Sequence, residues 1–360
     1  MKSFFHKNFT INRFNVDLIS WYLLNKRDLP WRKTKNPYKI WLSEIILQQT
    51  KVSQGAPYYD AFVKNYPKVE DLAKADEQEV LNRWRGLGYY SRAKNLHYTA
   101  KIITDKYNGI FPSKYEDIIA LKGVGKYTAS AIASFSFDLP FAVLDGNVFR
   151  FLSRLLDIDV PINSSLGQKT FEDLSTRMLN HKNPSIHNQA IMEFGALNCT
   201  YKNPKCTECP FEKSCLSKIN GSISLRPVKN KKKKVRNRFF VFKVFHLIEN
   251  RSFIVNKRVK KDIWESLYEF PSQEFFSEKI FLEEIEKKIR KGHEVSNVVT
   301  HLLSHQKINA VFVHYKKRKV ELKPDEKVIS FEMIENYPMP RLIDRYIESF
   351  FKKKLCSKII

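Results

Sequence analysis

Leu121-Lys122-Gly123-Val124-Gly125-Lys126-Tyr127-Thr128-Ala129-Ser130 is the stretch from which the fold can be read. It lies between two apolar segments of helical periodicity, the second running to about Phe135, and its two glycines let the chain turn tightly. The pattern predicts a helix-hairpin-helix over about 113–136. Backbone N–H groups at the start of the second helix can hold a phosphate without any side chain. Lys122 and Lys126 tilt the choice away from a plain helical turn and towards DNA. A similar turn, Gly86-Leu87-Gly88-Tyr89-Tyr90, precedes Ser91-Arg92-Ala93-Lys94 and offers a second contact to a duplex.

Outward from the hairpin, apolar residues recur three and four apart from Phe14 to about Cys215, with short Gly, Pro or Asn breaks. Ser113 with Glu116, and Asp76 with Glu79, have the spacing of capping boxes. The texture changes at 229–234, where Lys-Asn-Lys-Lys-Lys-Lys cannot bury itself and reads as linker. Beyond it, Phe239 to Ile248 and Ala310 to Val313 are rich in β-branched and aromatic residues, whereas Glu278 to Arg290 carries helical charge pairs. The expected organisation is a mainly α region over 1–222, a basic linker over 223–236, an α+β domain over 237–352 and a tail over 353–360. No fixed-period repeat is present.

The 63 Lys+Arg against 38 Asp+Glu give a formal net charge of +25, so an acidic polymer is the expected partner. Met1 to Leu24 has charges scattered through it and no long apolar core, which argues against an export signal. No apolar run approaches a membrane span. The expected setting is a reducing cytoplasm.

Four of the five cysteines form one group, Cys199-x6-Cys206-x2-Cys209-x5-Cys215. Four thiolates can hold a tetrahedral zinc or a 4Fe-4S cluster. Zinc ribbons present two short knuckles far apart, while this compact loop has a single Cys-x2-Cys, and the spacing favours iron-sulfur. Two disulfides are the other possibility and need an oxidising compartment. Cys356 reads as an incidental tail thiol.

Two acids stand out. Asp145 ends the apolar run Phe141-Ala142-Val143-Leu144, where it can cap the following helix or face a developing sugar cation, with Asn147 to orient it. Glu44 is the only ionisable group in Trp41-Leu42-Ser43-Glu44-Ile45-Ile46-Leu47-Gln48-Gln49-Thr50, and desolvation there would raise its pKa towards that of a proton donor. A surface Glu on an amphipathic helix is the alternative. Two carboxylates in different environments suit glycosidic bond cleavage.

Together the hairpin, Leu144-Asp145-Gly146-Asn147-Val148 and the cysteine loop resemble the iron-sulfur, helix-hairpin-helix DNA glycosylases. Leu29-Pro30-Trp31-Arg32, Ser43 to Thr50 and Gly86 to Ala93 narrow the resemblance to the adenine-specific MutY branch. The resemblance implies two helical subdomains with an iron-sulfur loop at 199–215, a C-terminal Nudix-like domain, and one 4Fe-4S cluster on Cys199, Cys206, Cys209 and Cys215. It implies a monomeric, nucleoid-associated enzyme that removes adenine opposite 8-oxoguanine or guanine in duplex DNA. Glu44 matches the acid that protonates the base. Asp145 matches the stabiliser of the sugar cation or a covalent sugar intermediate, supported by Tyr127 and Asn147. Gln49, Leu87 and Tyr89 match residues that enter or brace the stack, and Thr50, Gly123 and Gly125 match other DNA contacts. Trp31, Arg32 and Gln189 match adenine-pocket positions.

Endonuclease III-type pyrimidine glycosylase/lyases share the cluster, the hairpin and the Asp, but their nucleophilic lysine directly precedes the Thr of the hairpin helix. Tyr127 holds that place here, and Lys126, one residue earlier, is turned by about 100° on a helix. A non-catalytic iron-sulfur DNA-binding protein is the reading from another class; it leaves the four residues Glu44, Tyr127, Asp145 and Asn147 unexplained. In the C-terminal part, His301-Leu302-Leu303-Ser304-His305 resembles the 8-oxoguanine recognition loop, with Leu303 where the family has Phe and with Ser304 and His305 kept. Glu265 and Ser266 replace small glycines in Ile263 to Pro271. No Arg-Glu-x2-Glu-Glu box is present, so nucleotide pyrophosphate hydrolysis is not expected.

Overall fold

The computed structural model describes residues 9–230, 235–247, 252–317 and 321–356. The lysine run over 231–234, Ile248 and the end of the tail over 357–360 lie outside the described residues, as does the side chain of Cys356. Contacts divide the chain into two compact units, one of Met1–Lys74 with Asn95–Lys231 and the other of Ala75–Lys94 with Lys232–Ile360.

The first unit is helical. The hairpin forms from Tyr115–Ile119 and Lys126–Phe137. Gly123 adopts φ 83°, the left-handed region where a side chain is strained, and a Cβ built there would lie 2.8 Å from Asn95 Cβ. Gly125 is the N-cap of the longer helix and supplies no side-chain cap, leaving the first N–H groups available to a ligand. The Thr99 hydroxyl donates to the Lys122 carbonyl at 2.9 Å and pins the turn. The Ser113/Glu116 capping box does not form, because the helix begins one residue later, with Lys114 at the N-cap and no side-chain bond. Asp76 does cap, accepting from the Gln78 and Glu79 N–H groups, while Glu79 accepts from Arg83.

Apolar faces of Ile11–Asn25, Gly146–Leu155 and Pro184–Leu197 share a core in which Phe14, Phe151, Phe194 and Phe211 interlock, with ring centroids 4.5 to 6.1 Å apart. Phe211 belongs to the cysteine loop, so burial of this one ring fastens the loop to the helices. The described start of the expected linker is also fastened. Arg154 donates to the Ile223 and Arg226 carbonyls, and Ile162 N donates to the Val228 carbonyl at 3.0 Å.

The second unit contains a seven-stranded sheet: β1 (Arg236–Leu247), β2 (Ser252–Lys257), β3 (Tyr268–Glu269), β4 (Ser272–Phe275), β5 (Val299–Leu302), β6 (Gln306–Lys317) and β7 (Glu326–Ser330). The long strands β1 and β6 pair in parallel from Arg236↔Gln306 to Leu247↔Lys317. Their near-continuous apolar sequences follow from burial on both faces. Phe240, Phe242 and Phe312 pack on one side with Ile343 and Ile347 of the Arg341–Cys356 helix, and Phe239, Val241 and Val313 on the other with Phe281 of the Glu278–Arg290 helix.

Candidate active site

Three chain segments of the helical unit meet at a cavity of about 520 Å³. The helix Pro37–Leu47 is almost wholly buried and brings Glu44; the hairpin helix brings Tyr127; the N-terminus of Gly146–Leu155 brings Asp145 and Asn147. Trp31, Arg32, Gln49, Thr50 and Gln189 also line it. Every candidate catalytic residue and every adenine-pocket candidate therefore falls on one wall or another of a single cavity.

Glu44 is 8 % exposed. Burial raises its carboxyl to about 7, with the Asp145 charge adding to the rise, while a hydrogen bond with Tyr127 and the Arg32 charge pull the other way. Such a carboxyl keeps its proton in a substantial fraction of molecules near neutral pH and can give it away. Asp145 also lies above its ordinary range through burial, opposed by bonds to the charged form. Those bonds are the helix cap itself: Oδ1 accepts from Asn147 N and Val148 N, both at 2.8 Å, and Oδ2 accepts from Asn147 Nδ2 at 2.7 Å. Capping and facing the cavity are thus two uses of one carboxylate. Burial, with the charges of Glu44 and Asp145, pushes the Tyr127 hydroxyl well up, so it stays neutral. Lys126 does not line the cavity; its amine pairs with Glu172 at 3.1 Å.

Behind the wall, Arg150 Nη2 donates to Asn147 Oδ1 at 2.9 Å and to the Gly195 carbonyl at 2.6 Å, while its Nε donates to the Cys199 carbonyl at 2.8 Å. One turn on, buried Arg154 donates to the Thr200 and Tyr201 carbonyls and approaches Cys199 Sγ at 3.6 Å. The helix capped by Asp145 thereby holds the cysteine loop. Cys199, Cys206, Cys209 and Cys215 line one small cavity together. Burial pushes the Cys209 thiol up to about 12 and raises Cys199 and Cys215 as well. Thiolates gathered in so dry a place need a cationic core, which an iron-sulfur cluster supplies, so the donor set fits that group. Among the described residues, no three His, Cys, Asp or Glu side chains are arranged to hold a single metal ion. Lys202, Lys205 and Lys213 of the loop are exposed.

Glu193 and Arg27 escaped the sequence reading. Glu193 is fully buried and binds Arg27 through Nε at 2.8 Å and Nη2 at 2.6 Å, and Arg32 through Nη2 at 2.7 Å. Burial alone would raise its carboxyl, but the two arginines outweigh that and hold it at about 2. The partners lie 161 and 166 residues away in sequence, so no local pattern could have signalled the cluster. Gln189 is engaged at both ends of its amide, accepting from Tyr22 OH at 2.9 Å and donating to Ser185 at 3.2 Å.

Gln49, at φ 55°, and Tyr89, at φ 48°, both adopt the left-handed region that side chains seldom occupy. In the second unit, Arg92 staples the Gly86–Tyr90 turn by donating to the Leu87 and Gly88 carbonyls, and its guanidinium lies 5.1 Å from the Trp84 ring and 5.8 Å from the Tyr89 ring. Tyr89 is exposed, whereas Leu87 is buried. Ser304 and His305 are exposed in the turn between β5 and β6, beside a cavity of about 380 Å³ that they share with Tyr89, Trp264 and His301. Leu303, half-buried, both packs against the sheet's core and lines this cavity, and it brings no aromatic ring there. Ser266 keeps the φ of 68° that suits a glycine, and Glu265 pairs with Lys94 at 3.1 Å.

Comparison with known proteins agrees with this geometry. Residues 42–174 match the family model of the HhH-GPD superfamily base excision DNA repair proteins, and residues 243–349 match that of the NUDIX domain. An adenine DNA glycosylase of Buchnera aphidicola subsp. Baizongia pistaciae is 38 % identical over 81 % of this chain and 83 % of its own length. Another, of Buchnera aphidicola subsp. Acyrthosiphon pisum, is 33 % identical over 94 % of this chain and 98 % of its own. Among solved structures, a thermostable thymine-DNA glycosylase is 27 % identical with a TM-score of 0.54, covering 58 % of this chain and 97 % of that one. An endonuclease III–DNA complex, at 21 % identity and a TM-score of 0.51, covers 59 % and 98 % and shares the fold. With adenine DNA glycosylases matching it at 33 % and 38 % identity over most of its length, and with the base excision repair model matching its helical part, the chain belongs to the adenine DNA glycosylases, the monofunctional enzymes of base excision repair.

Proposed function

We propose that this glycosylase acts on adenine paired with 8-oxoguanine, or with guanine, and that Glu44 and Asp145 divide the chemistry between them. The observation that carries the reading is the pair of carboxyl groups in one cavity, Glu44 together with a neutral Tyr127 and Asp145 held by a helix N-terminus. Glu44, which keeps a substantial protonated fraction near neutral pH, gives its proton to a ring nitrogen of the extruded adenine and makes the base a better leaving group. Asp145 faces the positive charge that grows on the sugar, and Asn147 and the cap N–H groups hold it in place. Water completes the hydrolysis. Tyr127, whose hydroxyl donates to Met192 Sδ at 3.8 Å, leaves the site without the amine that a lyase step requires.

Extrusion of a base costs a few kcal/mol. The left-handed Gln49 and Tyr89, with Thr50 beside the cavity and Leu87 bracing its turn from below, are the residues that fill or support the gap. The open N–H groups after Gly123 and Gly125 receive a phosphate. Ser304 and His305 read the oxidised guanine through hydrogen bonds, without help from Leu303. Cys199, Cys206, Cys209 and Cys215 would hold one 4Fe-4S cluster, whose contribution is to order a basic loop, since hydrolysis of an N-glycosidic bond needs no electron. The protein works as a monomer in the cytoplasm, on the nucleoid. Single-turnover adenine release from duplexes with 8-oxoguanine, guanine, cytosine or thymine opposite the adenine tests the reading. The expected order puts 8-oxoguanine first and guanine second; equal rates for all four would remove opposite-base recognition.

A further inference from the structure

Arg85 immediately precedes the turn Gly86–Tyr90, whose exposed Tyr89 is left-handed at φ 48°. Its guanidinium reaches the far end of the chain. Nε and Nη2 donate to Asp344 Oδ1 at 3.1 and 2.6 Å, and Nη1 donates to the Glu335 carbonyl at 3.0 Å and the Ile334 carbonyl at 3.4 Å. Asp344, on the Arg341–Cys356 helix, is 1 % exposed, and its Oδ2 meets no donor among the described residues, so this carboxylate depends on Arg85. Removing Arg85 would strand a buried charge, which makes the pair a fixed joint. At the other end of the turn, Tyr90 OH donates to the Met339 carbonyl at 3.2 Å, and inside it Trp84 Nε1 donates to the Gly88 carbonyl at 3.0 Å. Both ends of the turn are therefore tied to the segment 334–344. By its contacts Ala75–Lys94 belongs to the unit of the sheet, although peptide bonds join it at both ends to residues of the helical unit.

The same segment reaches the loop proposed to read the opposite base. Pro340 and Arg341 line the cavity that Tyr89 shares with Ser304 and His305. We propose that Arg85 and Asp344 are positioning residues that make Tyr89 and the Ser304–His305 turn one body, so that the base opposite the adenine decides how firmly Tyr89 seats in the stack. With 8-oxoguanine bound, the contacts of Ser304 and His305 hold Tyr89 in the gap and favour the extruded adenine. With guanine that support is weaker, and the adenine returns to the stack more often. Discrimination then acts on extrusion, before any proton leaves Glu44. Such a coupling is reciprocal: loosening the joint lowers the preference for 8-oxoguanine and the hold of Tyr89 together.

The inference rests on the proposed reading of the opposite base by Ser304 and His305. Arg85→Met with Asp344→Leu replaces the ion pair by apolar side chains of similar volume, an exchange that folded proteins commonly accept. Single-turnover adenine release is measured opposite 8-oxoguanine and opposite guanine, and the fluorescence of 2-aminopurine placed next to the adenine reports opening of the stack. In the double variant the ratio of the two rates should fall by roughly 5-fold or more, with the loss on the 8-oxoguanine duplex and a matching loss of fluorescence there. Adding Ser304→Ala and His305→Ala should then change the ratio by no more than about twofold, because both pairs of substitutions cut one coupling. Tyr90→Phe removes the second tie without stranding a charge and should lower the ratio by a smaller factor; it decides the matter if the double variant does not fold. An unchanged ratio in the folded double variant, or in Tyr90→Phe where that one does not fold, would overturn the proposal. So would an equal loss opposite both bases, which is what a purely structural pair would give, or full additivity with the turn substitutions. Failure of the underlying reading looks different: Ser304→Ala with His305→Ala, in an otherwise wild-type chain, would leave the ratio intact, and the proposal would fall together with that reading.

Discussion

As the proposed proton donor, Glu44 should carry the pH dependence of the reaction. Its carboxyl is raised to about 7 by burial, so the proton-donating form prevails below that value and is lost above it. The single-turnover rate should be flat on the acid side of about 7 and fall about tenfold per pH unit beyond it, as measured between pH 5.5 and 9. A rate that rises through the same interval would contradict the role. Stability follows the same sign: the folded protein binds this proton more tightly than the unfolded chain, so the stabilising contribution is full below the ordinary carboxyl range and is lost as pH rises through about 7. Tyr127→Lys would place an amine where the lyases have theirs, and borohydride should then trap a covalent DNA adduct that the wild-type protein does not form. No adduct would mean that the position alone does not decide between hydrolase and lyase. Glu44 and Asp145 were legible because each sits conspicuously in a short apolar context. Glu193 was not, since its meaning lies in two arginines brought to it only by folding.

At the scale of elements, the hairpin was the most legible feature, and the structure gives its glycines distinct tasks. Gly123→Ala must hold φ 83° and push against Asn95, so it should destabilise the protein by about 1–3 kcal/mol and weaken duplex binding. Denaturant midpoint and a binding titration read the two effects; unchanged values for both would mean that the turn tolerates a side chain. Element ends were less legible. Ser113 and Glu116 have capping-box spacing, yet the helix starts after Lys114, because a preference of about 1 kcal/mol for a cap is easily outweighed by packing. Asp145 shows the opposite case, in which the ordinary fate of a capping Asp and its placement in the cavity coincide. The arginines that run from this cap to the cysteine loop, Arg150 and Arg154, carry no signature in sequence; they appear as two basic residues on an amphipathic helix until their carbonyl partners are seen. In the sheet, β1 announced itself by length and apolar content and β6 only through its apolar middle, Ala310 to Val313, whereas short strands such as β3 and β5, with two and four residues, did not.

For the whole molecule, the net charge of +25 predicts duplex affinity that falls steeply and log-linearly with salt as phosphate contacts release counterions. Charge gives affinity without identity, so the proposed reading of the opposite base needs its own contacts. Ser304→Ala combined with His305→Ala should erode the preference for 8-oxoguanine over guanine more than it erodes binding to undamaged duplex, since both side chains are exposed and carry no core. Unchanged preference would place recognition outside this turn. The resemblance in sequence extended to this loop, but only the structure shows Leu303 packed against the sheet's core while also lining the cavity beside Ser304 and His305. Chemistry remains the centre of the reading, and one experiment bears on it most directly: single-turnover release of adenine from a duplex holding adenine opposite 8-oxoguanine, with wild-type protein and Glu44→Gln, each product examined before and after alkali. Complete release by the wild type with strand breaks only after alkali, and loss of about 10²-fold or more in Glu44→Gln at unchanged DNA affinity, is the predicted result. Undiminished release by Glu44→Gln would contradict it.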